Sequence, residues 1–213
     1  MSEFINTADV IGDDEMCDQI IQRTVTEYKE NRITKVGQYA FYGCNQLETV
    51  DLPNATTVGQ SAFNGCASLV ELDVPNATNI GDGAFDYCSS LINVIIPSVE
   101  TINYSGFRRC YKLECVDTSS LIKISGGYVF NCDRTGKLTA LILRANTVCI
   151  IDGKDNFYGT PIASGTGYIY VPSAMVESYK SATGWAALGD QFRALEDYTV
   201  DGTITGELDE TKI

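Results

Sequence analysis

The sequence contains no histidine. That removes the imidazole base on which Ser-His-Asp and Cys-His nucleophilic catalysis depends, together with every histidine metal site. Long hydrophobic runs are missing too. The apolar stretches extend over a few residues, far short of the ~20 that a membrane-spanning helix requires, so membrane insertion is not expected. The eight cysteines include no Cys-x-x-Cys pair of the kind that zinc sites use. Gly165-Thr166-Gly167 is too short for a phosphate-binding loop and lacks the following helix pattern. No cofactor or metal is implied, and no enzyme is expected. The opening Met1-Ser2-Glu3-Phe4 has neither a basic segment nor an apolar core, so the sequence as written reads as lacking a signal peptide. Basic residues are scarce where acids are plentiful. Val36 to Phe107 holds no Lys or Arg against Glu48, Asp51, Glu71, Asp73, Asp82, Asp86 and Glu100. With a net charge of −13, the chain is a poor candidate for nucleic acid, whose binding rests on phosphate contacts.

What the sequence does have is a period. Ala40-Phe41-Tyr42-Gly43-Cys44 returns as Ala62-Phe63-Asn64-Gly65-Cys66, Ala84-Phe85-Asp86-Tyr87-Cys88 and Gly106-Phe107-Arg108-Arg109-Cys110, each 22 residues on. Cys132 lies 22 past Cys110. A fixed period in this range marks a stacked repeat, in which no coil can bury its apolar face alone. Val50 and Leu52 recur as Leu72/Val74 and Val94/Ile96, two apart, which is the strand spacing. Ala55/Val58, Ala77/Ile80, Val99/Ile102 and Leu121/Ile124 form a second buried set on the return limb. The phenylalanines, with Phe130, fill the middle of each coil.

These residues, Ile/Val-Gly-x-x-Ala-Phe-x-x-Cys and Leu-x-x-Val-x-Leu-Pro, resemble the BspA-type leucine-rich repeat. That family comprises bacterial surface and adhesion modules that also occur in bacteriophage and protist proteins. The resemblance implies a β-rich α/β solenoid with one parallel sheet and about six coils. It also implies a non-catalytic protein-interaction or adhesion role at a cell surface or in secreted form, with a protein, extracellular-matrix or host-surface ligand. A structural spacer or assembly subunit of a larger particle, such as a phage tail, is the alternative, and a carbohydrate-active enzyme working with carboxylates alone is a third. The expected organisation is a lead-in and helical cap over 1–23, the solenoid over 24–172, a helical cap over 173–198 and a tail over 199–213. The tail is read as mobile or as a small hairpin around Asp201-Gly202. The pattern departs from the family at Asp117-Thr118-Ser119 and at the insertion Asp133 to Lys137. It decays past Asn146, so Phe157 falls in a degenerate last coil.

Cys44, Cys66, Cys88, Cys110 and Cys132 share one repeat phase, and parallel side chains about 4.8 Å apart are too far apart to bridge, so they are expected as buried free thiols. Cys17, Cys115 and Cys149 lie outside that row. Trp185 is read as cap core rather than as a sugar platform. Asn54-Ala55-Thr56 and Asn76-Ala77-Thr78 match the glycosylation pattern only because the repeat places a turn residue after proline.

Two candidate binding faces follow. In the fourth repeat large residues replace the consensus: Tyr104, Arg108, Arg109 and Tyr111, with Tyr87 in the coil before. Tyr and Arg dominate interface hot spots. Arg108 also opens the basic stretch running to Arg144, which favours an anionic partner. The other candidate is an exposed row on the strands, Asp51, Asp73 and Asp117, in which Asp51 and Asp73 are adjacent.

Overall fold

The computed structural model describes residues 25–133, 135–153 and 155–198, and the backbone of Val10–Ile11, Thr199–Val200 and Thr203–Ile204. Apart from Val10–Ile11, the lead-in and the helix expected before residue 24, Cys17 included, lie outside the described residues.

Each coil contributes two short strands, and these stack into parallel ladders on two sides of one core. The first ladder runs Val10–Ile11, Lys35–Val36, Thr57–Val58, Asn79–Ile80, Thr101–Ile102, Lys123–Ile124, Ile150–Ile151. The second is built of Glu27–Lys29, Thr49–Asp51 and Glu71–Asp73, then of Asn93–Ile95, Cys115–Thr118, Ala140–Leu143, Tyr168–Val171 and Phe192–Ala194. The strand at Tyr28 pairs in register with Val50, and Val50 with Leu72. Where one parallel sheet is expected, the coils therefore carry two, because the return limb also holds a β-competent pair such as Thr57-Val58 whose second residue is buried. The second ladder breaks between Glu71–Asp73 and Asn93–Ile95, where Leu72 is only half-buried.

Between the ladders the phenylalanine rings form a continuous stack. Centroid separations are 4.8 Å for Phe41–Phe63, 5.3 Å for Phe63–Phe85, 5.1 Å for Phe85–Phe107, 5.9 Å for Phe107–Phe130 and 5.5 Å for Phe130–Phe157. Phe157 is thus a full member, contrary to the expectation from the decayed pattern. Tyr28 closes the stack edge-on at one end and Trp185 covers Phe157 at the other.

The thiols do more than fill space. The Sγ of Cys66, Cys88 and Cys110 donates to the carbonyl of Phe41, Phe63 and Phe85 in the preceding coil, at 3.1, 3.1 and 3.2 Å. Cys132 departs from this row: its Sγ lies 3.7 Å from the carbonyl of Cys110, not of Phe107. The fifth coil gains a residue before Phe130 and loses one after it, so a constant cysteine spacing hides a slip of register. Side chains also tie coil to coil outside the core. Asn54 and Asn76 each donate to a carbonyl of the previous coil at 2.6 Å. Gly81 is required by close approach, since a Cβ there would stand 2.7 Å from the backbone of Gly59 and Gln60.

Residues 173–197 combine short helices (Ser173–Met175, Val176–Ser181, Ala186–Gln191, Leu195–Asp197) with the strand Phe192–Ala194, which extends the second ladder. Gly184 turns in the left-handed region and packs against Ile151. Tyr179 and Trp185 are fully buried; the Tyr179 hydroxyl accepts from the Cys149 amide at 2.8 Å, and Trp185 Nε1 donates to the Cys149 carbonyl at 2.6 Å. Thr199–Val200 and Thr203–Ile204 pair antiparallel.

Candidate binding surface

In the coils of Phe41, Phe63, Phe85, Phe107 and Phe157 the tight turn after the ring places its second residue in the left-handed region. Gly43, Gly65 and Gly159 serve there with φ of 72°, 79° and 78°. Tyr87 and Arg109 hold comparable turn positions at 62° and 58°, where a side chain costs energy that glycine does not. Both belong to the consensus-breaking set, and the turn brings them together: the Arg109 guanidinium sits 4.5 Å from the Tyr87 ring centre while its Nε donates to Asp133 Oδ2 at 3.0 Å. Beside them Tyr104, exposed, meets Tyr128 edge-on at 5.8 Å, and Arg108 lies 6.0 Å from the Tyr128 ring. Tyr111 is half-buried; burial, then the charge of Asp133, pushes its phenol up.

Three residues of this cluster escape a reading by period. Tyr128 is displaced by the extra residue of the fifth coil, Asp133 lies in the insertion, and Asp86 looks like an ordinary turn acid. Asp86 is in fact buried, and burial raises its carboxyl pKa against the pull of Arg108 and Arg109. Asp86 Oδ1, Ser105 Oγ and Arg108 Nε are each buried without a hydrogen-bond partner among the described residues.

The positive stretch is largely neutralised. Of its six described basic residues, four are ion-paired: Arg109–Asp133, Lys123–Asp152, Lys137–Glu114 and Arg144–Asp117. The patch therefore offers aromatic faces and a held guanidinium more than net charge.

The row on the second ladder is divided. Asp51 and Asp73 are register partners, and burial, then the Asp51 charge, raises the Asp73 carboxyl pKa. Asp117 is not exposed as expected. It is buried and held by Arg144 through two bonds of 2.8 Å, because an arginine ends the neighbouring strand where Pro53, Pro75 and Pro97 end earlier ones. Among the described residues no group of three His, Cys, Asp or Glu could hold a metal ion. No described helix is long and apolar enough to cross a membrane.

No curated protein matches the sequence. Solved structures similar in fold include two bacterial proteins. A leucine rich cell surface protein from Faecalibacterium prausnitzii A2-165 aligns at 22% identity and a TM-score of 0.58, over 80% of this chain and 45% of that one. The pneumococcal vaccine antigen PcpA aligns at 16% identity and a TM-score of 0.59, over 80% of this chain and 40% of that one. The chain thus spans less than half the length of either. The model of the BspA type leucine rich repeat region matches residues 20–162 in six copies. With its coils, ladders and phenylalanine stack, the chain belongs to the BspA-type leucine-rich-repeat family.

Proposed function

We propose that the chain is a non-catalytic recognition module of a bacterial surface or phage-encoded protein, and that it binds a protein or host-surface ligand through the turn surface of its third to fifth coils. The observation that carries this reading is the pair Tyr87 and Arg109. Left-handed non-glycine residues also stand elsewhere along the array, at Tyr39, Ser61, Ser105 and Tyr128, so what sets this pair apart is the Arg109 guanidinium packed 4.5 Å from the Tyr87 ring centre at a turn that Gly43 and Gly65 hold in other coils. Tyr87, Tyr104 and Tyr128 present ring faces, Arg108 and Arg109 are held against them, and such residues supply most of the energy of interfaces. The two similar structures come from a cell surface protein and a vaccine antigen, which supports placement at a surface.

The test is binding of the whole chain to immobilised host extracellular matrix. Tyr87→Ala and Tyr104→Ala are expected to weaken it by about tenfold or more each, the loss typical of a hot-spot residue. Arg108→Glu with Arg109→Glu is expected to weaken it also, with modest salt dependence because Arg109 is already paired. Unchanged binding in all of these variants would remove the turn surface from consideration.

A further inference from the structure

The outward face of the second ladder is covered over its last coils and bare over its first. Beyond Ala194 the chain turns through Leu195–Asp197 and lays Tyr198 across the face. The Tyr198 ring is 4.8 Å from that of Tyr170, and its hydroxyl is 3.5 Å from Cys115 Sγ. Beside this arm Ala140 and Ile142 are buried, and Asp117 is tied to Arg144. One step along the same row the cover stops. Ile95, the register partner of Asp117, is 47% exposed. Val70 and Ile92, at the rim where the strands begin, are 42% and 38% exposed. An aliphatic strip of this kind, framed by polar groups, marks an interaction surface.

Its frame is mainly acidic. Asp51 faces Asp73 in register, and like charges directly opposite one another destabilise a ladder. Glu71 lies on the same face. Lys29 is next to Asp51 in the row but bonds Glu27 at 3.0 Å. The rest of the chain is a poor cover for such a frame. Residues 1–24 carry Glu3, Asp9, Asp13, Asp14, Glu15 and Asp18 against Arg23, and residues 205–213 carry Glu207, Asp209 and Glu210 against Lys212. A second copy would bring the same acidic face.

We propose that the bare half of this sheet face, Val70, Ile92 and Ile95 with Asp51, Glu71 and Asp73, docks an extended basic segment of a protein partner in which aliphatic side chains alternate with lysine or arginine. Aliphatic groups cover the strip, and the cations relieve the repulsion between Asp51 and Asp73. The arm shows the mode of cover: a short segment crossing the strands and setting a side chain against the face. This surface is separate from the Tyr87–Tyr128 patch and stands or falls independently of it.

The experiment uses the whole chain and three synthetic ten-residue probes, alternating Lys-Val, alternating Lys-Ser and alternating Glu-Val, measured by fluorescence anisotropy at low and high salt. The Lys-Val peptide is expected to bind. Lys-Ser should bind about tenfold more weakly and Glu-Val not at all, since specificity here joins apolar cover to charge. Asp51→Asn with Asp73→Asn should weaken Lys-Val by about tenfold, and Ile95→Ser should weaken it even at high salt, where charge is screened. Tyr87→Ala should leave it unchanged. These are surface substitutions, and a thermal melt identical to or above that of the parent shows each variant folded. Equal binding of Lys-Ser and Lys-Val would mean diffuse attraction and overturn the proposal. So would failure of Lys-Val to bind, or retention of its affinity in the Asp51/Asp73 or Ile95 variants. Equal loss in Tyr87→Ala would place the peptide on the turn surface and overturn it as well.

Discussion

A buried thiol that donates to a carbonyl is more than a small hydrophobe, and its proton matters to stability. Burial pushes Cys66, Cys88 and Cys110 well above the ordinary thiol range, Cys115 up to about 11, and Cys132 and Cys149 up to about 12. In the unfolded chain these groups ionise near ~8.5. The unfolded state therefore loses protons first as pH rises, and folding stability falls above about pH 8.5 and continues falling toward the folded values. Denaturant melts between pH 7 and 11 should show a plateau followed by a steep loss, less steep in Cys88→Ala. The Asp117–Arg144 pair, with side chains 11% and 12% exposed, makes the second residue-scale prediction. Arg144→Met leaves a buried carboxylate alone and should cost about 3–5 kcal/mol, whereas adding Asp117→Leu should recover most of it. Chemical denaturation of the two variants decides. The cysteine row was legible from spacing, but its bonds to carbonyls were not, because spacing carries no information about where an S–H points. Arg144 was equally hidden: it takes the strand-ending position that Pro53, Pro75 and Pro97 hold in earlier coils, and the period does not say that its side chain reaches back to Asp117.

At the scale of the element, the phenylalanine stack decides what can be removed. Truncating Phe85, which has a ring on each side, should cost about 3–5 kcal/mol. A decayed last coil would make Phe157 cheap to lose, but its ring lies between Phe130 and Trp185, and Phe157→Ala should cost within about 1 kcal/mol of the same change at Phe85. Urea melts of both variants test it; a cost at Phe157 near zero would mean that the stack ends at Phe130. The repeat unit, its strands and its buried rows could be read directly, since each apolar phase recurs and only stacking can bury it. Past Asn146 the same ring is delivered by a coil of different length, and a search by fixed period loses it. The pairing of Tyr87 with Arg109 was accessible through their failure to match the consensus. Their left-handed backbone became visible only once Gly43 and Gly65 were seen to mark that turn.

Over the whole molecule, the coils behave as a line of neighbours whose far end is sealed by Tyr179, Trp185 and Phe192, mutually packed at 5.2 to 5.7 Å. Trp185→Ala removes a ring and a donor to the Cys149 carbonyl at once, and about 3–5 kcal/mol should be lost. Amide exchange should accelerate first in the strands nearest the seal, Ile150–Ile151 and Tyr168–Val171, before reaching Thr49–Asp51, because stability in a stacked array is passed between neighbours. Uniform acceleration along the chain would show a single cooperative block. The carbonyl that each cysteine thiol meets in the coil before it also has a hereditary consequence. Loss of a whole repeat, for instance residues 59–80, rejoins a coil to an equivalent partner and leaves every remaining thiol a carbonyl to meet. Loss of a single codon inside a coil displaces ring and thiol together. The fifth coil escaped that penalty by gaining one residue before Phe130 and shedding one after it. The length variation that the stack tolerates thus comes in whole repeats, in compensated pairs, or in turns that lie clear of ring and thiol, as at the insertion Asp133 to Lys137.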